Sequence, residues 1–204
     1  MQAYQWAAQY PDMVEAILPY CGAARCSAIN YAFLDGPKAD LQADAAWSGG
    51  DYTSAPEKGL RAFARVYVAW AFSYSFFRDR LYWELGFPTL EDFVRDWEED
   101  HLKWDANDLL AKIWTWQHVD ISDNQIYRGD FERALQSIRA RAIVMPCSQD
   151  HYFVADDNVA EVVDMQRAEL RVFDSPWGHC VGSPGRVPAF QRALDQAATE
   201  LLRE

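Results

Sequence analysis

The sequence has 204 residues, half of them hydrophobic, and a formal net charge of −12. A chain of this size and apolar content can bury a real core, which excludes a disordered segment. Its acidic balance excludes the clustered Lys and Arg that nucleic-acid or anionic-membrane binding relies on. The four cysteines, Cys21, Cys26, Cys147 and Cys180, make neither a CxxC pair nor the dense framework of a small secreted scaffold, so free thiols in a reducing cytoplasm are expected.

Residues 1–10 (MQAYQWAAQY) are helical in pattern, with no cap and no signal-peptide charge cluster ahead of them, so the chain is expected to begin inside an element. Tyr10-Pro11-Asp12 stops this helix, and 14–19 (VEAILP) reads as a short buried strand. Residues 21–52 mix Gly, Asn, Asp and Ser with single aromatics and are expected to be irregular. Helical spacing of apolar residues runs over 57–83, ends at Gly86 and Pro88, and resumes from Leu90 towards Trp104 behind Thr89 as the cap. A third helix is predicted over 105–118. This block is rich in Trp, Phe and Tyr, which predicts a helical cap. No later run approaches the roughly twenty apolar residues of a membrane span.

Strand and helix then alternate. Residues 131–139 read as a helix, 142–146 as a buried strand ended by Pro146, 157–165 as a helix, 169–173 as a strand, and 188–203 as a closing helix. This order predicts an α/β chain whose parallel sheet is flanked by helices. Three strands fall short of the roughly five or six of an average sheet, so further strands are expected to precede Met1.

Asp150 lies just past the 142–146 strand and His179 just past the 169–173 strand, one βαβ unit apart, where α/β sheets carry their functional loops. A carboxylate there can orient an imidazole, and an imidazole can activate a hydroxyl. An Asp in such a loop also serves as a turn former or helix cap. His151 reads as a solvated loop residue, and His101 and His118 as packing or surface histidines. Asp150, His151, Asp156 and Asp157 show no metal-ligand spacing. Trp70, Phe72, Trp114 and Trp116 read as core before pocket wall. Ser148, Ser175 and Cys21 are the local nucleophile alternatives, none of them on a Gly-x-Ser-x-Gly turn; Cys21, at the end of the first strand, is the one placed to approach the site.

Several motifs carry a resemblance. They are Met1-Gln2-Ala3 with Trp6-Ala7 and Tyr10-Pro11-Asp12; Ala24-Arg25 with Ser27 and Asn30; Ala32-Phe33; Ala43-Asp44; Trp47-x-Gly49-Gly50-Asp51-Tyr52; and Asp105-Ala106-Asn107. Together they resemble the homoserine O-acetyltransferase branch of the α/β-hydrolase superfamily over nearly the whole chain. The resemblance implies an α/β-hydrolase fold lacking its N-terminal strands, with core at 1–26, connecting segment and cap at 27–128, and core again at 129–204. It implies that Asp150 and His179 are the catalytic acid and base and that Arg65 binds substrate. It further implies a Ser-His-Asp ping-pong transfer of an acyl group from the co-substrate acyl-CoA to an acceptor hydroxyl, with no bound cofactor or metal. The family's serine, elbow and first oxyanion loop would precede Met1, so the chain alone is expected to be inactive. Cys180 stands where the family has a substrate-gripping aspartate, which speaks against homoserine as acceptor. An esterase, or a non-catalytic interaction module, is the alternative; a small-molecule substrate and a homodimer through the cap are the expected partners.

Overall fold

The computed structural model describes residues 1–203 and divides the chain into two compact units. Helix α1 (Gln2–Gln9) and strand β1 (Ala16–Ile17) open the first unit. The second holds α2 (Ala28–Gln42), α3 (Glu57–Ala71), α4 (Tyr74–Arg78), α5 (Leu90–His101) and α6 (Ala106–Gln117). The chain then returns to the first unit through α7 (Phe131–Gln136), β2 (Arg141–Val144), α8 (Ala155–Val163), β3 (Ala168–Leu170) and α9 (Pro188–Arg203).

In the first unit the three strands form one parallel sheet in the order β1-β2-β3. Ile17 is in register with Ala142, and Ala142, Ile143 and Val144 with Ala168, Glu169 and Leu170. The ladders are shorter than the expected runs because Pro19 and Pro146 have no N–H to donate. Single bridges, Tyr20 to Met145 and Cys147 to Phe173, carry the pairing further. β2 shows why a continuous apolar run marks a central parallel strand. Ala142 and Val144 face a cluster with Tyr4, Ala7, Leu135 and Ile138, while Ile143 and Met145 face Phe190, Ala197 and Leu201 of α9. α9 begins on Pro188, whose fixed φ and missing N–H suit a first helical position.

The units divide at 25/26 and 118/119, whereas the sequence reading divides the chain at 26/27 and 128/129. Segment 119–128 goes with the first unit for a physical reason. Ile121 is fully buried and donates to Ala24 O at 3.2 Å, and the Tyr127 hydroxyl donates to Ala8 O of α1.

In the second unit, 21–52 departs from the irregular segment expected, because α2 occupies Ala28–Gln42 with Pro37 inside it. Ser27 caps the helix by accepting Asn30 N at 3.3 Å, and Phe33, Leu34, Pro37 and Leu41 are buried. Packing of this apolar face outweighs the one hydrogen bond that the proline removes. α3 also ends earlier than the periodicity suggests, at Ala71, where Ser73 starts α4 by accepting Phe76 N at 3.0 Å. Gly59 in the first turn of α3 has the Leu41 carbonyl only 2.9 Å from where a Cβ would stand, so a side chain there would force α2 and α3 apart. Thr89 caps α5 as expected, and Asp105, read as the first residue of the third helix, instead caps α6. The two sequence motifs of this unit meet. Trp47 Nε1 donates to Asn107 Oδ1 at 3.0 Å, Asn107 Nδ2 donates to Gly50 O at 2.9 Å, and Tyr52 OH donates to Asp105.

His101 is buried against Phe63, Tyr67 and Trp97, with Nδ1 2.8 Å from Trp97 O. Burial holds its pKa below the usual histidine value, partly offset by the Trp97 carbonyl and Asp100. Above about pH 6.5 the ring is neutral in both folded and unfolded chains. As pH falls through that value the unfolded chain takes the proton first, so this unit loses stability on acidification. The melting temperature should therefore fall between pH 7.5 and 5.5, and His101→Phe should shrink the fall; an equal fall in the variant would show that His101 is not its source.

Candidate functional site

The parallel sheet delivers Asp150 and His179 from adjacent strands to the same, carboxyl end. After β2 the chain passes Pro146 and Cys147 and turns, with Asp150 N donating to Cys147 O at 3.2 Å. After β3 it passes Phe173 and enters a short 3-10 turn, Gly178–Gly182, that carries His179. Gly178 starts this turn at φ 57, a left-handed conformation that costs glycine little. Four contacts bind the two loops together: the Cys147–Phe173 bridge, Ser148 N to Phe173 O at 3.0 Å, Ser148 Oγ to Asp174 Oδ1 at 2.5 Å, and Cys147 Sγ to Ser175 O at 3.4 Å.

His179 Nδ1 lies 2.9 Å from Asp150 Oδ2. The Asp150 side chain is completely buried, and that of His179 is 31 % exposed. Asp150 Oδ1 accepts Tyr152 N at 2.8 Å and Phe153 N at 3.1 Å, so the carboxylate is fixed by its own turn while its other oxygen serves the imidazole. A buried carboxylate with three donors keeps hydrogen bonds that burial would otherwise cost it. The rings of Tyr152 and Phe153 stand 4.8 and 5.5 Å from the imidazole and complete its housing. Sequence reasoning did not name these two residues, although an aromatic pair directly behind Asp150 was a usable signal.

The other candidates fall elsewhere. Ser148 and Ser175 are occupied in the loop contacts, Ser175 Oγ accepting Trp177 N at 3.2 Å. Cys21 follows β1 and its thiol lies against Gly182, but burial, then Asp150 and the neighbouring thiols, push its pKa far up. Cys147 and Cys180 are pushed up to about 11 and about 12, in each case first by burial. All four cysteines are free, and the three at this end of the sheet are neutral, packed thiols. Arg65 belongs to the second unit and is held by Glu91 at 2.8 Å and by Glu98. Phe72 is core, whereas Trp114 is 61 % exposed and stacks on His118 at 4.3 Å. His151 is half-buried. Among the described residues no group of His, Cys, Asp and Glu could hold a metal ion, and no helix is long and apolar enough to cross a membrane. A cavity of about 790 Å³ lies beside β2, β3 and α9, where Arg141 donates to Leu201 O and Arg171 pairs with Glu169 and Glu200. Those arginines serve α9 and the edge strand.

No protein-family model matches the chain. It is 33 % identical over 204 residues to an ethyl acetate hydrolase of Pseudomonas veronii, covering 98 % of this chain and 58 % of that protein. It is 32 % identical over 181 residues to a probable esterase of Corynebacterium glutamicum, covering 87 % and 51 %. A homoserine O-acetyltransferase of Rhodospirillum rubrum is 31 % identical over 188 residues, covering 84 % and 47 %. The chain thus spans about half the length of the curated relatives it matches. Among solved structures, an acetylester hydrolase from Corynebacterium glutamicum superposes with a TM-score of 0.89 at 30 % identity, covering 96 % of this chain and 57 % of that one. The acetyl esterase MekB gives 0.87 at 32 % identity, covering 98 % and 57 %.

Proposed function

From a chain that belongs to the α/β-hydrolase superfamily, in the branch that holds these esterases and homoserine O-acetyltransferases, we propose that it supplies the acid and base of a serine-type enzyme cleaving short acyl esters. The observation that carries this reading is the 2.9 Å contact between His179 Nδ1 and a buried Asp150 at the carboxyl ends of adjacent parallel strands. With Nδ1 donating to the carboxylate, Nε2 is left to take the proton of an attacking hydroxyl. The imidazolium then returns that proton to the departing alcohol, and the same histidine next deprotonates the water that releases the acid. Asp150 holds the ring in the working tautomer and stabilises its charged form.

The 204 residues hold no Gly-x-Ser-x-Gly turn, so the proposed nucleophile is a serine on a segment outside them and the chain by itself is inert towards esters. Water is favoured over homoserine as acceptor because the residue beside His179 is Cys180, buried and neutral, where a carboxylate would be needed to hold an amino group. A second reading, transfer from acyl-CoA to an acceptor hydroxyl, draws support from the homoserine O-acetyltransferase relative. One fusion tests both: the nucleophile-bearing segment of an esterase relative placed ahead of Met1. It should give a burst of p-nitrophenol from p-nitrophenyl acetate and retain an acyl group on the serine. Absence of an adduct with every activated ester and with acetyl-CoA would defeat the proposal; consumption of acetyl-CoA only when an alcohol is added would favour the second reading.

A further inference from the structure

Helix α8 carries a charged side chain for which the acid–base chemistry has no use. Glu161 is 4 % exposed, and burial raises its pKa above the ordinary glutamate value against the pull of its hydrogen bonds. Its Oε1 accepts Ala24 N at 2.7 Å, and its Oε2 accepts Asn158 Nδ2 at 2.9 Å. The same Asn158 nitrogen reaches Gly22 O at 2.9 Å, so two side chains of α8 grip both sides of the loop that follows β1. The Tyr4 phenol of α1 faces the same carboxylate, and its pKa lies well above the usual tyrosine value, through burial first and Glu161 second.

The gripped loop leads to the base. It begins at Cys21, whose backbone is left-handed at φ 43 and whose N donates to Met145 O at 3.3 Å. The Cys21 thiol is wedged against Gly182, at 3.3 Å from where a Cβ would stand, and Gly182 closes the turn that carries His179. At its other end α8 starts at Ala155, directly behind the Asp150 turn. One helix therefore holds the acid through the chain and the base through Glu161, Ala24, Cys21 and Gly182. A buried carboxylate is an expensive way to satisfy Ala24 N and Asn158 Nδ2, since neutral acceptors would serve packing alone.

We propose that Glu161, with Asn158, is a positioning residue that fixes the His179 turn relative to Asp150 by clamping the Gly22–Ala24 backbone. The inference rests on the reading of Asp150 and His179 as an acid–base pair, and its test needs no turnover. In nuclear magnetic resonance spectra of the 204-residue chain, the proton between His179 Nδ1 and Asp150 should stand far downfield of the amides. Glu161→Ala should speed its exchange with water by about tenfold or more, because local opening of the turn governs that rate. Glu161→Gln, which keeps an oxygen for Ala24 N but turns its amide nitrogen towards Asn158 Nδ2, should fall between the parent and Glu161→Ala. If the alanine variant lacks a folded amide spectrum, Asn158→Ala, which releases Gly22 alone, is expected to show the same acceleration. An unchanged exchange rate in a folded Glu161→Ala or Asn158→Ala chain would overturn the positioning role. A parent chain without the downfield proton would overturn the acid–base pair itself, and this inference with it. Failure of the fusion to form an acyl adduct while the proton behaves as described would count against the ester chemistry alone.

Discussion

Asp150→Asn, introduced into the ester-cleaving fusion, is expected to lower kcat by about 10³–10⁴ with KM changed by no more than about threefold. The asparagine oxygen can still accept Tyr152 N and Phe153 N, which lie at 2.8 and 3.1 Å, so the turn survives. The amide NH2 then faces His179 Nδ1, which must accept instead of donate. The proton moves to Nε2, and the ring can no longer take one from a hydroxyl. Steady-state kinetics, with melting of both proteins as the control for folding, separates this from a general loss of structure. A kcat within tenfold of the parent would remove Asp150 from the mechanism. Asp150→Ala should add a stability loss, because it strands three buried donors at once.

Phe72→Ala is expected to destabilise the second unit by about 3–5 kcal/mol, the usual range for deleting a buried aromatic. Phe72 is fully buried at the centre of a ring cluster, 4.2 Å from Phe76, 5.3 Å from Phe93 and 5.6 Å from Trp97 between centroids. It also sits in the break between α3 and α4, where two helix ends converge. The remaining rings, Phe76 on α4 and Phe93 and Trp97 on α5, cannot all relax into the void. Urea unfolding followed by tryptophan fluorescence, with Trp97 as the local reporter, measures the effect. A loss under about 1 kcal/mol would mean that the cluster repacks freely. The Asp150–His179 contact, whose residues lie in the first unit, should survive the substitution.

Local signals were enough for part of this architecture. Thr89 and Asp105 announce their helices because a side-chain oxygen must satisfy free N–H groups wherever a helix starts. Pro188 marks the start of α9, and the unbroken 142–146 run marks a strand buried on both faces. The meeting of Asp150 and His179 was legible because a parallel strand that ends in a polar loop has one place to put it. What escaped depends on partners distant in sequence. Residues 21–52 read as irregular until Phe33, Leu34 and Leu41 are seen to be buried along one helix. Segment 119–128 has no periodicity of its own; Ile121 and Tyr127 acquire meaning only from Ala24 and Ala8. Glu161 looks like one more acidic residue on the surface of a helix, and nothing within ten positions hints that its oxygen meets Ala24 N.

The chain leaves the first unit at Arg25 and re-enters it at Val119, and these two ends lie side by side. Arg25 and Asp120 form an antiparallel bridge, Ile121 N donates to Ala24 O, and the Arg25 guanidinium sits 4.0 Å over the Phe131 ring. The excursion between them therefore starts and finishes at a gap one hydrogen-bonded pair wide, and closing it makes almost no demand on the length or shape of what lies between. Evolution can lengthen, shorten or exchange the helices of the second unit while the sheet of the first keeps its geometry. The second unit can thus diverge among descendants of one ancestor without any change to the contact between Asp150 and His179.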